Sequence, residues 1–277
     1  MTLSERQIPL DEAGFDRSLK GAVRVFLFLL FVFSYSLFYV FARFVFRGNP
    51  YLLPRVLYRG TLAIFGMKVR VHGQIAQTAS TLFMANHSSY LDVPVLGAYL
   101  PAFFVAKADV AHWPIFGPLT RLYRTVFVER NASRAAVQRD NIRPMLEKGY
   151  NLVIFPEGTS TDGQRTLPFK SSLFSLAEGE IPGGGFVTVQ PVSVVCTRLG
   201  GVPIGRSGRP AYAWFGDMDF IPHFWKAIQL GGFTVDVILH KPLTVETCGD
   251  RKKLAAATGK AVAEGVELLL TGRPVGG

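Results

Sequence analysis

The segment VFLFLLFVFSYSLFYVFA, from Val25 to Ala42, is 18 residues long and carries no charge. As a helix it would be about 27 Å long at 1.5 Å per residue, the low end for a bilayer span. Eight of the 23 Phe fall between Phe26 and Phe46. A surface helix of a soluble domain keeps a polar face, so a helix apolar all round predicts membrane association. Arg6, Arg17, Lys20 and Arg24 precede the run, and Arg43, Arg47, Arg55 and Arg59 follow it. Basic residues thus balance on the two sides and give no orientation. The first twenty residues mix acids and bases and no small-residue cleavage site follows the run, which argues against a signal peptide. The next segment, YLLPRVLYRGTLAIFGM, mixes Arg with aromatic and aliphatic residues and reads as an interfacial amphipathic helix. Residues 1–66 are therefore expected to be a membrane-anchoring helical segment and residues 67–277 a separate domain. Whether the first helix spans the bilayer or lies in its interface stays open at this level.

Composition narrows what the remainder does. The chain is 49% hydrophobic and 18% charged, with a formal net charge of +10. Disorder is excluded by the apolar content. The charge predicts work near an anionic surface. Nucleic acid is set aside, because the basic residues are scattered and no recognition motif or stacking array is present. Cys196 and Cys248 are too far apart for a redox pair or a zinc knuckle. They are expected to be reduced, buried thiols.

From Met67 onward, short apolar runs alternate with longer helical stretches. MKVRVHG, TLFMAN (81–86), AFFVAK (102–107), TVFVER (125–130), NLVIFP (151–156), VTVQPVSVVCT (187–197) and TVDVILHKPLTV (234–245) read as strands, the sixth interrupted by Pro191. ASRAAVQRDNIRPMLEKG reads as a helix capped by Ser133 and stopped by Gly149. Asp250 to Leu270 reads as another. Strands alternating with helices predict an α/β domain.

Five His are present, and one stands in a chemically telling place. His87 follows a strand in NHSSYLD, with four residues between it and Asp92. A helical turn after Ser88 would return the carboxylate to the imidazole, bond one ring nitrogen and leave the other as a general base. This is the base and orienter of a triad without its nucleophile. No G-x-S-x-G elbow is present, so a hydroxyl of the substrate can take the nucleophile's place. A second feature is FPEGTSTDGQRTLPFK, where Glu157, Gly158 and Thr159 end a strand and Arg165 and Lys170 follow in the loop. A ligand site commonly lies at such a strand end. Phe127 and Arg130 end a further strand, and an Arg there suits a phosphate.

NHSSYLD, FVER, FPEGTS and VQPV, in that order, resemble the four sequence blocks of the PlsC-type glycerolipid acyltransferases, the 1-acylglycerol-3-phosphate acyltransferases and their relatives. With the N-terminal apolar segment the resemblance covers most of the chain, and it thins after residue 197. It implies a mixed β-sheet flanked by helices, with the N-terminal segment docking to membrane. It also implies that His87 deprotonates the acceptor hydroxyl and Asp92 orients His87. Lys107, Phe127, Arg130, Glu157, Gly158 and Thr159 would bind substrate, and Pro191 would shape the acyl or thioester site. No metal or redox cofactor is implied. Acyl-CoA or acyl carrier protein would be the co-substrate, and the partners would be the bilayer and a lysolipid. The location implied is a membrane, the inner one in a bacterium, with the catalytic domain facing the cytoplasm.

Two positions depart from the pattern. Arg124 stands where the second block usually has Gly, and Ser160 where the third has Arg. The missing Arg bears on the acceptor. The resemblance implies first lysophosphatidate, 1-acyl-sn-glycerol-3-phosphate, giving phosphatidic acid. Its alternative is a zwitterionic lysolipid such as lyso-ornithine lipid or lysophosphatidylcholine. Arg124 or Arg165 is expected to compensate in the first case. A non-catalytic protein that binds anionic lipid shares the charge and the apolar run but leaves the four blocks unexplained.

Overall fold

The computed structural model describes residues 10–45, 48–78, 80–112, 116–128, 142–182 and 184–275. Helices α1 (Leu10–Val45) and α2 (Leu52–Ile64) lead into β1 (Lys68–His72), β2 (Thr81–Ala85), α3 (Asp92–Gly97) and β3 (Phe103–Lys107). Next come α4 (Phe116–Leu122), β4 (Val126–Val128), α5 (142–147), β5 (Leu152–Ile154), β6 (Thr188–Leu199) and β7 (Val202–Pro203). The chain closes with α6 (Phe220–Leu230), β8 (Phe233–Leu239), α7 (Val245–Cys248) and α8 (Arg251–Leu270).

The strands form one sheet in the order β1-β8-β6-β2-β5-β3-β4, with β7 on β6. Pairing is parallel from β6 through β2, β5 and β3 to β4, and antiparallel between β6 and β8. The sheet is therefore mixed. Its central strands are buried on both faces, which is why they read as continuous apolar runs rather than alternating ones. Phe83, Val153 and Val237 face a core shared with α1, α2, α3 and α6. Leu82, Met84, Leu152 and Ile154 face a second core with Ile142, Leu146, Phe174 and Leu254.

Two strand expectations need correction. Pro191 does not interrupt its strand, because β6 runs unbroken through it. Its carbonyl accepts from the His240 N–H at 3.0 Å. In an antiparallel pair the same residue's nitrogen points to the same side, so no bond to β2 is lost. The strand expected to reach residue 245 ends at Leu239. Pro242 follows, Leu243 makes only an isolated bridge to Val189, and α7 begins at Val245. The expected helix start at Ser133 lies outside the described residues. Its stop is visible, with Gly149 at φ +80°.

The first helix is amphipathic in use though not in composition. Phe28, Val32 and Tyr39 belong to the same buried cluster as Phe83 and Val237. Phe28 meets Phe65 and Phe224, the Tyr35 hydroxyl donates to the Leu53 carbonyl at 2.9 Å, and Tyr39 packs on Tyr123. Arg24 donates to the Ile228 carbonyl at 2.7 Å and so caps the C-terminal end of α6. The opposite face leaves Phe26, Phe33, Leu37, Phe41 and Phe44 exposed. Residue 66 marks a change in sequence character, while the parts before and after it share one core.

Candidate active site

β2 delivers His87 to the carboxyl end of the parallel strands. Asn86 extends the ladder with its side chain: Nδ2 donates to the Val194 carbonyl at 2.9 Å, and Oδ1 accepts the Val194 N–H at 2.8 Å. The chain then turns sharply, with the Asp92 N–H on the Ser89 carbonyl, and Asp92 opens α3. Its carboxylate is fully buried. One oxygen accepts the Ser88 and Ser89 N–H groups at 2.8 and 2.9 Å and lies 2.9 Å from His87 Nδ1. The other accepts the Tyr212 hydroxyl at 2.8 Å. A buried carboxylate with this many donors is an acceptor throughout, so Nδ1 carries the ring proton and Nε2 is left as a base. The four residues between His and Asp thus set the geometry that the sequence predicts.

The loop after β5 grips the same residue by its backbone. One Glu157 oxygen accepts the His87 N–H at 3.1 Å, and the other accepts the Leu167 N–H at 3.2 Å. The Thr161 N–H donates to the His87 carbonyl at 2.9 Å. Phe155 stacks on the imidazole with ring centroids 4.0 Å apart. Burial pushes the Glu157 carboxyl up to about 7, against the two N–H bonds that favour its charged form.

A cavity of about 910 Å³ opens at His87. Polar side chains of Lys107, Thr159, Ser160, Lys170 and Asp217 share its wall with Tyr90 and Trp214. It runs on between Phe28, Val32, Leu57, Tyr58 and Tyr123 of α1, α2 and the segment after α4. An apolar tunnel bounded by the N-terminal helices suits an acyl chain.

The expected site residues divide into three groups. His87, Lys107, Gly158 and Thr159 line the cavity, and Asp92 stands behind His87. Glu157, Phe127 and Pro191 do not line it. Glu157 braces the His87 backbone, and Pro191 sits within β6. Arg130 lies outside the described residues. Arg124 packs over the Phe103 ring at 5.9 Å, and neither it nor Arg165 lines the cavity. Arg124 also has φ +61°, a left-handed conformation that favours the glycine it replaces. Lys107 pairs with Asp109. Lys170 reaches over Gly158, where a Cβ would stand 2.5 Å from its ammonium nitrogen, and Gly158 itself is at φ +76°. Tyr212, Phe155 and Thr161 were not singled out from the sequence, and Tyr212 acts from 120 residues away.

His72 and Arg70 bind Asp236, and Ser193 bonds His240 beneath Gly265, none of them on the cavity wall, while His223 Nδ1 lies 3.0 Å from the hydroxyl of Tyr90, which lines it. Cys196 is buried, which pushes its thiol up to about 12, and Cys248 is half-buried.

Comparison with known proteins fits this geometry. The Acyltransferase family model matches residues 68–195. The lyso-ornithine lipid O-acyltransferase of Brucella abortus (strain 2308) is 35% identical over 262 residues, covering 92% of this chain and 98% of that one. The chain belongs to the PlsC-type acyltransferase family. A second relative, the lyso-ornithine lipid O-acyltransferase of Rhizobium meliloti (strain 1021), is 38% identical over 80% of this acyltransferase and 77% of its own length. The 1-acyl-sn-glycerol-3-phosphate acyltransferase of Neisseria meningitidis serogroup B (strain ATCC BAA-335 / MC58) is 31% identical over 65% and 67%. The crystal structure of the 1-acyl-sn-glycerophosphate acyltransferase PlsC from Thermotoga maritima superposes with a TM-score of 0.65. It covers 94% of this acyltransferase and 100% of that chain at 20% identity, so the likeness is one of fold.

Proposed function

We propose that this acyltransferase moves a fatty acyl group from acyl-CoA or acyl carrier protein to the hydroxyl of lyso-ornithine lipid. His87 Nε2 takes the hydroxyl proton as the oxygen attacks the thioester carbonyl. The C–O bond forms, the tetrahedral intermediate collapses, and the C–S bond breaks. The thiolate leaves and recovers the proton from the imidazolium, which Asp92 stabilises. No acyl-enzyme is required, so neither Cys takes part. One observation carries the chemistry: a His87 base held by a buried Asp92 and opening on a cavity of about 910 Å³ that continues between apolar side chains.

The acceptor is chosen on two grounds. Two relatives covered over 77% and 98% of their own length bear the lyso-ornithine name. In addition, Ser160 on the cavity wall lacks the cation that a phosphate monoester calls for, which among the described lining residues leaves Lys170 for a single carboxylate. Lysophosphatidate is the second reading, supported by the Neisseria relative. The test is turnover of purified protein on both acceptors with both donors. Lyso-ornithine lipid should be used, and His87→Ala should abolish turnover while vesicle binding persists. Exclusive use of lysophosphatidate would reverse the choice of acceptor.

The docking is proposed to be monotopic, with the catalytic face toward the cytoplasm. The uncharged run of α1 keeps one stripe against α2, α6 and Tyr123 along its length. A spanning helix would have to carry those flanking elements into the bilayer with it. An in-plane helix only presents its exposed Phe and Leu face to one leaflet.

A further inference from the structure

The cavity wall has a charge pattern that bears on its ligand. Lys107 pairs with Asp109, and His87 is held by Asp92. Among the described lining residues this leaves one cation, Lys170, and one anion, Asp217, without an ion-pair partner. Asp217 is exposed and makes no hydrogen bond to another described residue. Its backbone is nonetheless held. It sits in a tight turn closed by the Trp214 indole N–H donating to the Met218 carbonyl at 2.8 Å, and Gly216 supplies the positive φ of +60°. The turn is tied to the catalytic loop, because the Trp214 backbone N–H donates to the Ser88 carbonyl at 2.8 Å. Lys170 reaches the same cavity from the loop after β5, over Gly158. The two charges therefore share one cavity with His87 from two separate loops.

The wall beside Asp217 is aromatic. Tyr90, Trp214 and Phe220 meet one another edge to face, with centroids 5.0 to 6.2 Å apart. An ammonium at this wall gains from ring quadrupoles as well as from the carboxylate. A dianionic phosphate would instead meet the repulsion of Asp217.

We propose that Asp217, backed by Tyr90 and Trp214, receives the ammonium of a zwitterionic acceptor whose carboxylate lies at Lys170. The proposal rests on the acceptor reading above. An ornithine acylated on its α-amine keeps one carboxylate and one side-chain ammonium, matching the two charges left without an ion-pair partner among the described lining residues.

The experiment compares kcat/KM for lyso-ornithine lipid with kcat/KM for the same lipid acetylated on its side-chain amine. Wild type should prefer the free amine. Asp217→Asn should lower that ratio by about two- to fivefold, the scale of one exposed ion pair. Asp217→Glu should keep most of it. An unchanged ratio in Asp217→Asn, or a wild type indifferent to acetylation, overturns the subsite and leaves the acceptor reading standing. A wild type that acylates neither ornithine lipid, while turning over lysophosphatidate, overturns both.

Discussion

At the scale of single residues, the site depends on a carboxylate that cannot rotate. Asp92 accepts from two backbone N–H groups and the Tyr212 hydroxyl before it meets His87. Asp92→Asn puts an amide among donors and loses the tautomer control. Turnover should fall by about 100- to 10,000-fold with the acceptor KM changed little, as steady-state kinetics would report. Tyr212→Phe removes one donor and should cost about 1 kcal/mol of stability, measurable by urea unfolding. Glu157 gives a pH signature. Its folded pKa of about 7 lies above the ordinary 4.5, so the folded state holds the proton more tightly than the unfolded state. Its contribution to stability is fully present below about 4.5 and is lost as pH rises through 7. Glu157→Gln should remove that part of the slope in unfolding midpoints taken from pH 5 to 8. An identical slope in mutant and wild type would contradict it. His87 and Asp92 were legible in the sequence because only four residues separate them. Tyr212 was not, because nothing local marks a tyrosine that acts from another loop.

Between elements, close approach decides how α1 sits. A Cβ on Gly60 would stand 2.2 Å from the Phe31 ring, and one on Gly21 would stand 2.7 Å from Gln229. Glycine at these two points lets α2 and α6 meet α1. Gly60→Leu should push α1 off α2 and cost about 1–3 kcal/mol, with easier proteolysis in the loop between the helices. Unchanged protease resistance and thermal midpoint would count against this packing. The strands β1 to β6 and α8 were visible as apolar runs and a capped helix. Pro191 and the tail beyond Leu239 misled, since a proline's effect depends on which neighbour its nitrogen faces. The α6 helix was not expected from sequence, yet it packs on α1 and carries Phe224 to the cavity.

On the scale of the whole molecule, the net charge of +10 and the exposed face of α1 act together. In the proposed docking, charge would draw the chain to an anionic leaflet and apolar burial would retain it. Binding to vesicles rich in anionic lipid should weaken with salt but persist at about 0.5 M, where surface attraction is screened within about 4 Å. Replacing Phe33, Leu37 and Phe41 with Ser should abolish the salt-resistant fraction in a flotation assay. Loss of all binding at high salt in the wild type would mean that charge alone holds it.

The amino-acid sequence by itself determined the α/β class, the apolar anchor and the His87–Asp92 pair, because each depends on residues within one turn, strand or helix. Tertiary structure decided the rest. It set the Glu157 carboxylate against the His87 backbone, sent Arg124 to the Phe103 ring, and laid the uncharged helix along the catalytic core. It also brought Lys170 and Asp217, from separate loops, to one cavity. Such outcomes depend on where distant segments meet, and local pattern carries no information about that.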